Sequence, residues 1–209
     1  MIVAGQEQAP PAETDQVNSY TGVVLISHPG FDEITAKVLL ERFLNTELGV
    51  HSFADSLAMP DAKIDALETV GVFAIDLGAN QYKKRSCRSA TEVVAKEFGV
   101  ELTESEAELV ELASRDNESG LLNKYVDDMS IPWILRKVYE IDAYGADQSN
   151  VVEMASHVVH TWLRYKERER DHLRDTADLF TEFPDLVEKF NAAKPSGDHQ
   201  FHHFTALRY

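Results

Sequence analysis

Residues 22–33, Gly22-Val23-Val24-Leu25-Ile26-Ser27-His28-Pro29-Gly30-Phe31-Asp32-Glu33, form an apolar run that ends in polar side chains able to bind a ligand. The apolar part is too short for a typical helix and reads as a buried strand over 22–27. A second run, Gly71-Val72-Phe73-Ala74-Ile75-Asp76-Leu77-Gly78, has the same form and ends at Asp76. Between them the sequence predicts a helix over 32–48 with Gly49 as its stop, a short strand over 50–53 and a helix over 60–68 opened by Pro60. Strands alternating with helices point to βαβ units and a parallel sheet. Right-handed crossovers then bring both strand ends to one edge, where open α/β sheets hold ligands.

After Gly99 the pattern becomes almost wholly helical. Residues 89–98 read as a helix stopped by Gly99. Thr103-Glu104-Ser105-Glu106 has the form of a capping box, opening a helix to about Ser114, with a break over 117–120. Pro132 starts a helix ending before Gly145. Ser149 is placed to cap a long helix with an apolar stripe of Val151, Ala155, Val158 and Trp162, and Pro184 starts a short last helix. The expected class is α/β: a parallel sheet with flanking helices in the N-terminal half, and a helical C-terminal half. The expected organisation is a mobile arm over 1–18, one unit over 19–193, and a linker with a His-rich tail over 194–209.

The 209-residue chain is 44% hydrophobic and 27% charged, which suits one large globular unit with its own core. No run approaches the roughly 18 apolar residues of a membrane span. The first residues lack the basic flank and apolar region of a secretory signal. A single cysteine, Cys87, excludes an internal disulfide and a thiolate zinc site. The simplest expectation is a cytoplasmic setting. The net charge of −16 argues against bulk binding to nucleic acid or anionic membrane. Self-association is left open.

His28, Asp32, Asp76 and Asp116 are the candidate metal ligands, because imidazole and carboxylates suit a divalent ion such as manganese. Such a set can hold two ions about 3.5–4 Å apart, clamping the oxygens of a phosphoryl displacement. The competing readings are a helix N-cap for Asp32, an Asx-turn for Asp116 and a hydrogen-bonded turn for His28. Asp76 is harder to explain structurally, since a carboxylate ending an apolar strand is costly unless paired. Lys83, Lys84, Arg85 and Arg88 put four cations within six residues of an acidic chain, suited to phosphate oxygens or to an exposed loop. Glu153, His157 and His160 recur at helical spacing, but away from the apolar stripe, and read as a solvated face. His199, His202 and His203 lie in the tail and could supply further ligands. Cys87 sits among cations but has no evident local base.

The order of these segments resembles the DHH phosphoesterase superfamily, and within it the branch of metal-dependent nucleases named after a melanocyte-proliferating gene. Ser27-His28-Pro29-Gly30-Phe31-Asp32-Glu33 is similar to that branch's first motif, in shorter form. Asp76-Leu77-Gly78-Ala79 resembles its Asp-x-Gly-Gly strand end. Ser89-Ala90 to Phe98-Gly99 resembles its Ser-Ala helix, and Asp116-Asn117 with Gly120 resembles its last aspartate motif. The resemblance covers roughly residues 22–139. It implies a manganese-dependent phosphodiesterase or nuclease, with His28, Asp32, Asp76 and Asp116 as metal ligands. Asp32 and Asp76 would be catalytic, and Lys83, Lys84, Arg85 and Arg88 would hold a phosphorylated small molecule or short oligonucleotide. Where the superfamily carries Asp-His-His, residues 80–88 offer no histidine or acid. The second motif histidine is also absent. The alternative is therefore a catalytically degenerate member that binds a nucleotide or a protein. A third reading is a helical scaffold with an acidic surface.

Overall fold

The computed structural model describes residues 20–98, 101–119, 135, 139 and 147–182. Three strands form one parallel sheet: β1 (Gly22–Ile26), β2 (Gly49–Ala54) and β3 (Val72–Ala74), in the order β2-β1-β3. Helix α1 (Phe31–Leu44) connects β1 to β2, and α2 (Asp61–Thr69) connects β2 to β3. The chain therefore leaves the central strand in one direction and returns on its other side. All three strands end at one edge. Helices α3 (Ala90–Glu97), α4 (Glu104–Ser119) and α5 (Gln148–Glu182) follow. The chain is thus α/β, with the sheet in the N-terminal part and helices in the C-terminal half.

The two-residue period of the strands separates two apolar layers. Val23, Leu25, Phe73 and Ile75 face the larger core with α1, α3, α4 and α5. Val24, Val72 and Ala74 face a smaller cluster with Met59, Ile64 and Leu77, on the α2 side. Helix α1 is enclosed by the sheet and three helices, so Ile34, Ala36, Val38, Leu39 and Leu40 are all fully buried. Edge-to-face rings of Tyr20, Phe73 and Phe98 close the sheet against the end of α3.

Several element ends differ from the sequence expectation. Helix α1 stops at Leu44 rather than running to Leu48, because Asn45 adopts the left-handed conformation (φ 49°, ψ 43°) that closes a helix. β3 is only three residues long: Ile75 still donates to the Val24 carbonyl, but Asp76 turns left-handed at φ 52° and leaves the sheet. Helix α4 continues to Ser119, so Asp116 and Asn117 are helical rather than in a loop. The expected capping box is present, with Thr103 N–H donating to Glu106 Oε2 (2.8 Å) and Glu106 N–H to Thr103 Oγ1 (3.3 Å). Asp147, not Ser149, caps α5 by accepting the Ser149 N–H (3.0 Å). The inward stripe of α5 is Val151, Val152, Ala155, Val159 and Leu163, whereas Val158 is exposed. Leu135 and Tyr139 are helical. The arm, the Pro184 helix and the tail with His199, His202 and His203 lie outside the described residues.

Cationic side chains lace the helices together. Arg42 of α1 reaches Glu106 (2.8 Å) and Glu167 (2.5 Å), and Arg170 of α5 reaches Glu108 (3.0 Å). Among the described residues no helix is long and apolar enough to cross a membrane.

Gly78 forms the tight turn below the sheet edge, at φ +52°. A Cβ there would lie 2.3 Å from Ile64 Cδ1 and 2.5 Å from the Met59 carbonyl oxygen. Gly78→Ala is expected to cost about 2 kcal/mol or more, read as a lower denaturation midpoint in urea.

Candidate functional site

The end of β1 passes into His28, which takes a left-handed backbone at φ 58°. Its N–H donates to Gln148 Oε1 at the start of α5 (2.9 Å). Its ring meets Tyr139 edge to face, with centroids 5.2 Å apart. The Tyr139 hydroxyl donates to the Pro29 carbonyl (3.0 Å). At the end of β3, Asp76 shares this left-handed conformation, and its Oδ1 accepts the Tyr82 N–H (3.0 Å). Strained backbone at two adjacent strand ends is a feature that clusters at functional sites.

Asp32 lies between them at the start of α1, yet it does not cap its own helix. Gly30 is the N-cap, and its N–H donates to Glu33 Oε2 (2.8 Å). The Asp32 carboxylate instead caps α3. Its Oδ2 accepts the Ala90 N–H (2.7 Å), and its Oδ1 accepts the Thr91 N–H (3.0 Å) and lies 2.7 Å from Thr91 Oγ1. Ser89 Oγ accepts the next amide, from Glu92 (3.0 Å). The orphan donors of the first turn of α3 are thereby met by two side chains, one local and one distant.

Three carboxyls at this edge sense one another. Burial raises Asp32 to about 6, against the lowering pull of its hydrogen bonds to Thr91 and Ala90, and the charge of Asp76 adds to the rise. Burial raises Glu33 to about 7, reinforced by the charges of Asp32 and Asp76. Glu33 as a residue is half-buried, but its carboxyl is the desolvated part. Burial also raises Asp76, opposed by the Tyr82 N–H and the charge of Lys83. Burial and then the charge of Glu33 raise the Tyr139 hydroxyl. The edge is therefore one coupled acidic site, with Glu33 and Tyr139 as members that the motif reading did not assign. Glu33 had a visible signal, its position three residues after Gly30. Tyr139 had none.

The candidate metal ligands are brought together in part. His28, Asp32 and Asp76 come from adjoining elements at one edge. Asp116 is on the last turns of α4, which reach the same region through Ser114 Oγ on Ser89 Oγ (2.9 Å) and Asn117 Nδ2 on the Arg88 carbonyl (2.8 Å). Among the described residues, however, no three His, Cys, Asp or Glu side chains are positioned to hold a metal ion. Asp32 Oδ1 receives two donors of α3 and Oδ2 one, so the carboxylate keeps one lone pair, on Oδ2, for a ligand.

The cationic loop divides in two. Arg85 is held by the Ala79 carbonyl, Asn80 Oδ1 and Glu97, and Arg88 by Glu111 and Glu92. Lys83 and Lys84 are exposed and form no ion pair among the described residues. The Lys83 ammonium lies 5.6 Å from the Tyr82 ring centroid.

No protein family, curated protein or solved structure matches the chain.

A raised carboxyl pKa makes the folded chain bind more protons than the unfolded one between the two values. The Glu33 penalty is thus absent below about 4.5 and complete above about 7. Glu33→Gln keeps an acceptor for the Gly30 N–H and removes the charge. It is expected to gain about 1–3 kcal/mol over wild type at pH 8 and little at pH 4, read by denaturant unfolding at both pH values.

Proposed function

We propose that this chain is a catalytically degenerate, DHH-like binding protein, which keeps the α/β frame and uses its sheet edge to hold a phosphorylated ligand such as a nucleotide or short oligonucleotide. The observation that carries this reading is the commitment of Asp32. Three contacts from α3 draw on the electron density that the Asp32 carboxylate would offer a metal ion, so this ligand position is weakened. The missing Asp-His-His triplet in residues 80–88 agrees with that loss.

Phosphate would meet Lys83 and Lys84, the two loop cations with no ion pair among the described residues, beside the Tyr82 ring. Arg85 and Arg88 would serve mainly to hold the loop in place. Binding an anion near Glu33 and Asp32 favours their protonated forms. Affinity should therefore rise as pH falls through the Glu33 value of about 7.

One observation favours the second reading, a metal-dependent phosphohydrolase. Asp32, Glu33 and Asp76 are crowded together with raised pKa values, and a divalent cation would relieve that repulsion.

Calorimetric titration with ADP and with a pentanucleotide, at pH 6 and pH 8, separates the outcomes. Binding is expected to be several-fold tighter at pH 6, and about tenfold weaker when Lys83 and Lys84 are both changed to Gln. Failure of both probes to bind at pH 6, or unchanged affinity in the double variant, would refute the binding reading. Manganese-dependent hydrolysis of either probe that disappears in Asp76→Asn would replace it with the hydrolase.

A further inference from the structure

Away from the cationic loop, α1, the start of β2 and the first turns of α5 enclose a cavity of about 350 Å³. The size is at the lower end of pockets for small organic ligands. Its inner wall includes Lys37, Glu41 and Ser156, all buried, and its outer wall includes Glu47, Glu153 and His157, all exposed. The residues that the sequence placed on a solvated face of α5 therefore frame a concavity, and His160 is half-buried in it.

The polar groups of the inner wall are not evenly satisfied. Glu41 is met on both oxygens: Oε1 accepts from Lys37 Nζ (2.5 Å) and the Leu48 N–H (2.8 Å), and Oε2 accepts from His160 Nε2 (3.0 Å). Lys37 has three N–H donors, and among the described residues only Glu41 takes one. The Ser156 hydroxyl is buried and has no hydrogen-bond partner among the described residues. A buried lysine with donors to spare and an unmet hydroxyl call for an acceptor. Glu47 and Glu153 at the mouth form no ion pair among the described residues, and their carboxylates are open to a cation.

We infer that this cavity binds a small zwitterion, a molecule of the amino-acid type carrying one carboxylate and one ammonium. The carboxylate is received by Lys37 and Ser156, and the ammonium is held between Glu47 and Glu153. An inorganic anion would face the two outer carboxylates without compensation. A simple amine would leave Lys37 and Ser156 unmet. The site is separate from the sheet edge, and its occupation does not depend on what binds there.

The test is calorimetry on the full chain with glycine, 4-aminobutanoate and 6-aminohexanoate, each compared with its N-acetylated and its amidated form. At least one zwitterion is expected to bind, about tenfold or more tighter than either neutralised form. Glu153→Gln, at an exposed position, and Ser156→Ala, which removes only the hydroxyl, are each expected to weaken it several-fold. The inference is overturned if no zwitterion binds, if a neutralised form binds equally well, or if neither variant changes the affinity.

Discussion

One carboxylate ties the first helix of the sheet unit to the helix that follows the sheet. Asp32 is the second residue of α1, and its side chain receives the first two amides of α3, some 58 residues away in sequence. Those amides carry the positive end of the helix dipole, so an anion placed there stabilises α3 and fixes where it starts. The consequences spread from that point. Ser89 is set against Ser114 of α4, and Arg88 and Asn117 close the same junction. The far end of α3 delivers Phe98 to Tyr20 and Phe73 over the sheet. The loop over 81–88, with its cations, hangs between the Gly78 turn and this clasp.

The contrast with Glu41 shows how partners decide the state of a carboxylate. Both acids belong to α1. Burial pushes Glu41 up, but its bonds from His160, Lys37 and the Leu48 amide outweigh this and hold it below the ordinary range. Glu33 is also desolvated, yet its neighbours Asp32 and Asp76 carry its own sign, and it rises to about 7. A single helix thus carries a neutralised ion network toward one end and a crowded, titratable group at the other. The crowded end is also where His28 and Asp76 hold left-handed backbone. Strained backbone and like charges meet there, so a ligand or a proton that relieves either would stabilise it.

The sheet was legible because its strands are short apolar runs with turn signals on both sides. The parallel order followed from the alternation with helices, and the capping box at Thr103 was legible from four consecutive residues. The extents were less so. Asp76 ends β3 early through a backbone angle that an apolar pattern does not encode. Asn45 stops α1 before the more obvious Gly49. On α5, Val158 is apolar and exposed while Ser156 is polar and buried, which inverts what hydropathy suggests. The candidate site was legible as a meeting of His28, Asp32 and Asp76 at one edge. The role of Asp32 was not, because a capping pattern in sequence points only to the residue's own helix. A contact spanning 58 positions leaves no local signature.

The clasp can be read directly by nuclear magnetic resonance, following the Ala90 and Thr91 amide shifts of the wild-type chain through a pH titration. If Asp32 accepts both amides, the two signals should move together with a midpoint near 6. Amide signals that do not follow the titration of the Asp32 carboxyl, or that move independently of each other, would contradict the clasp.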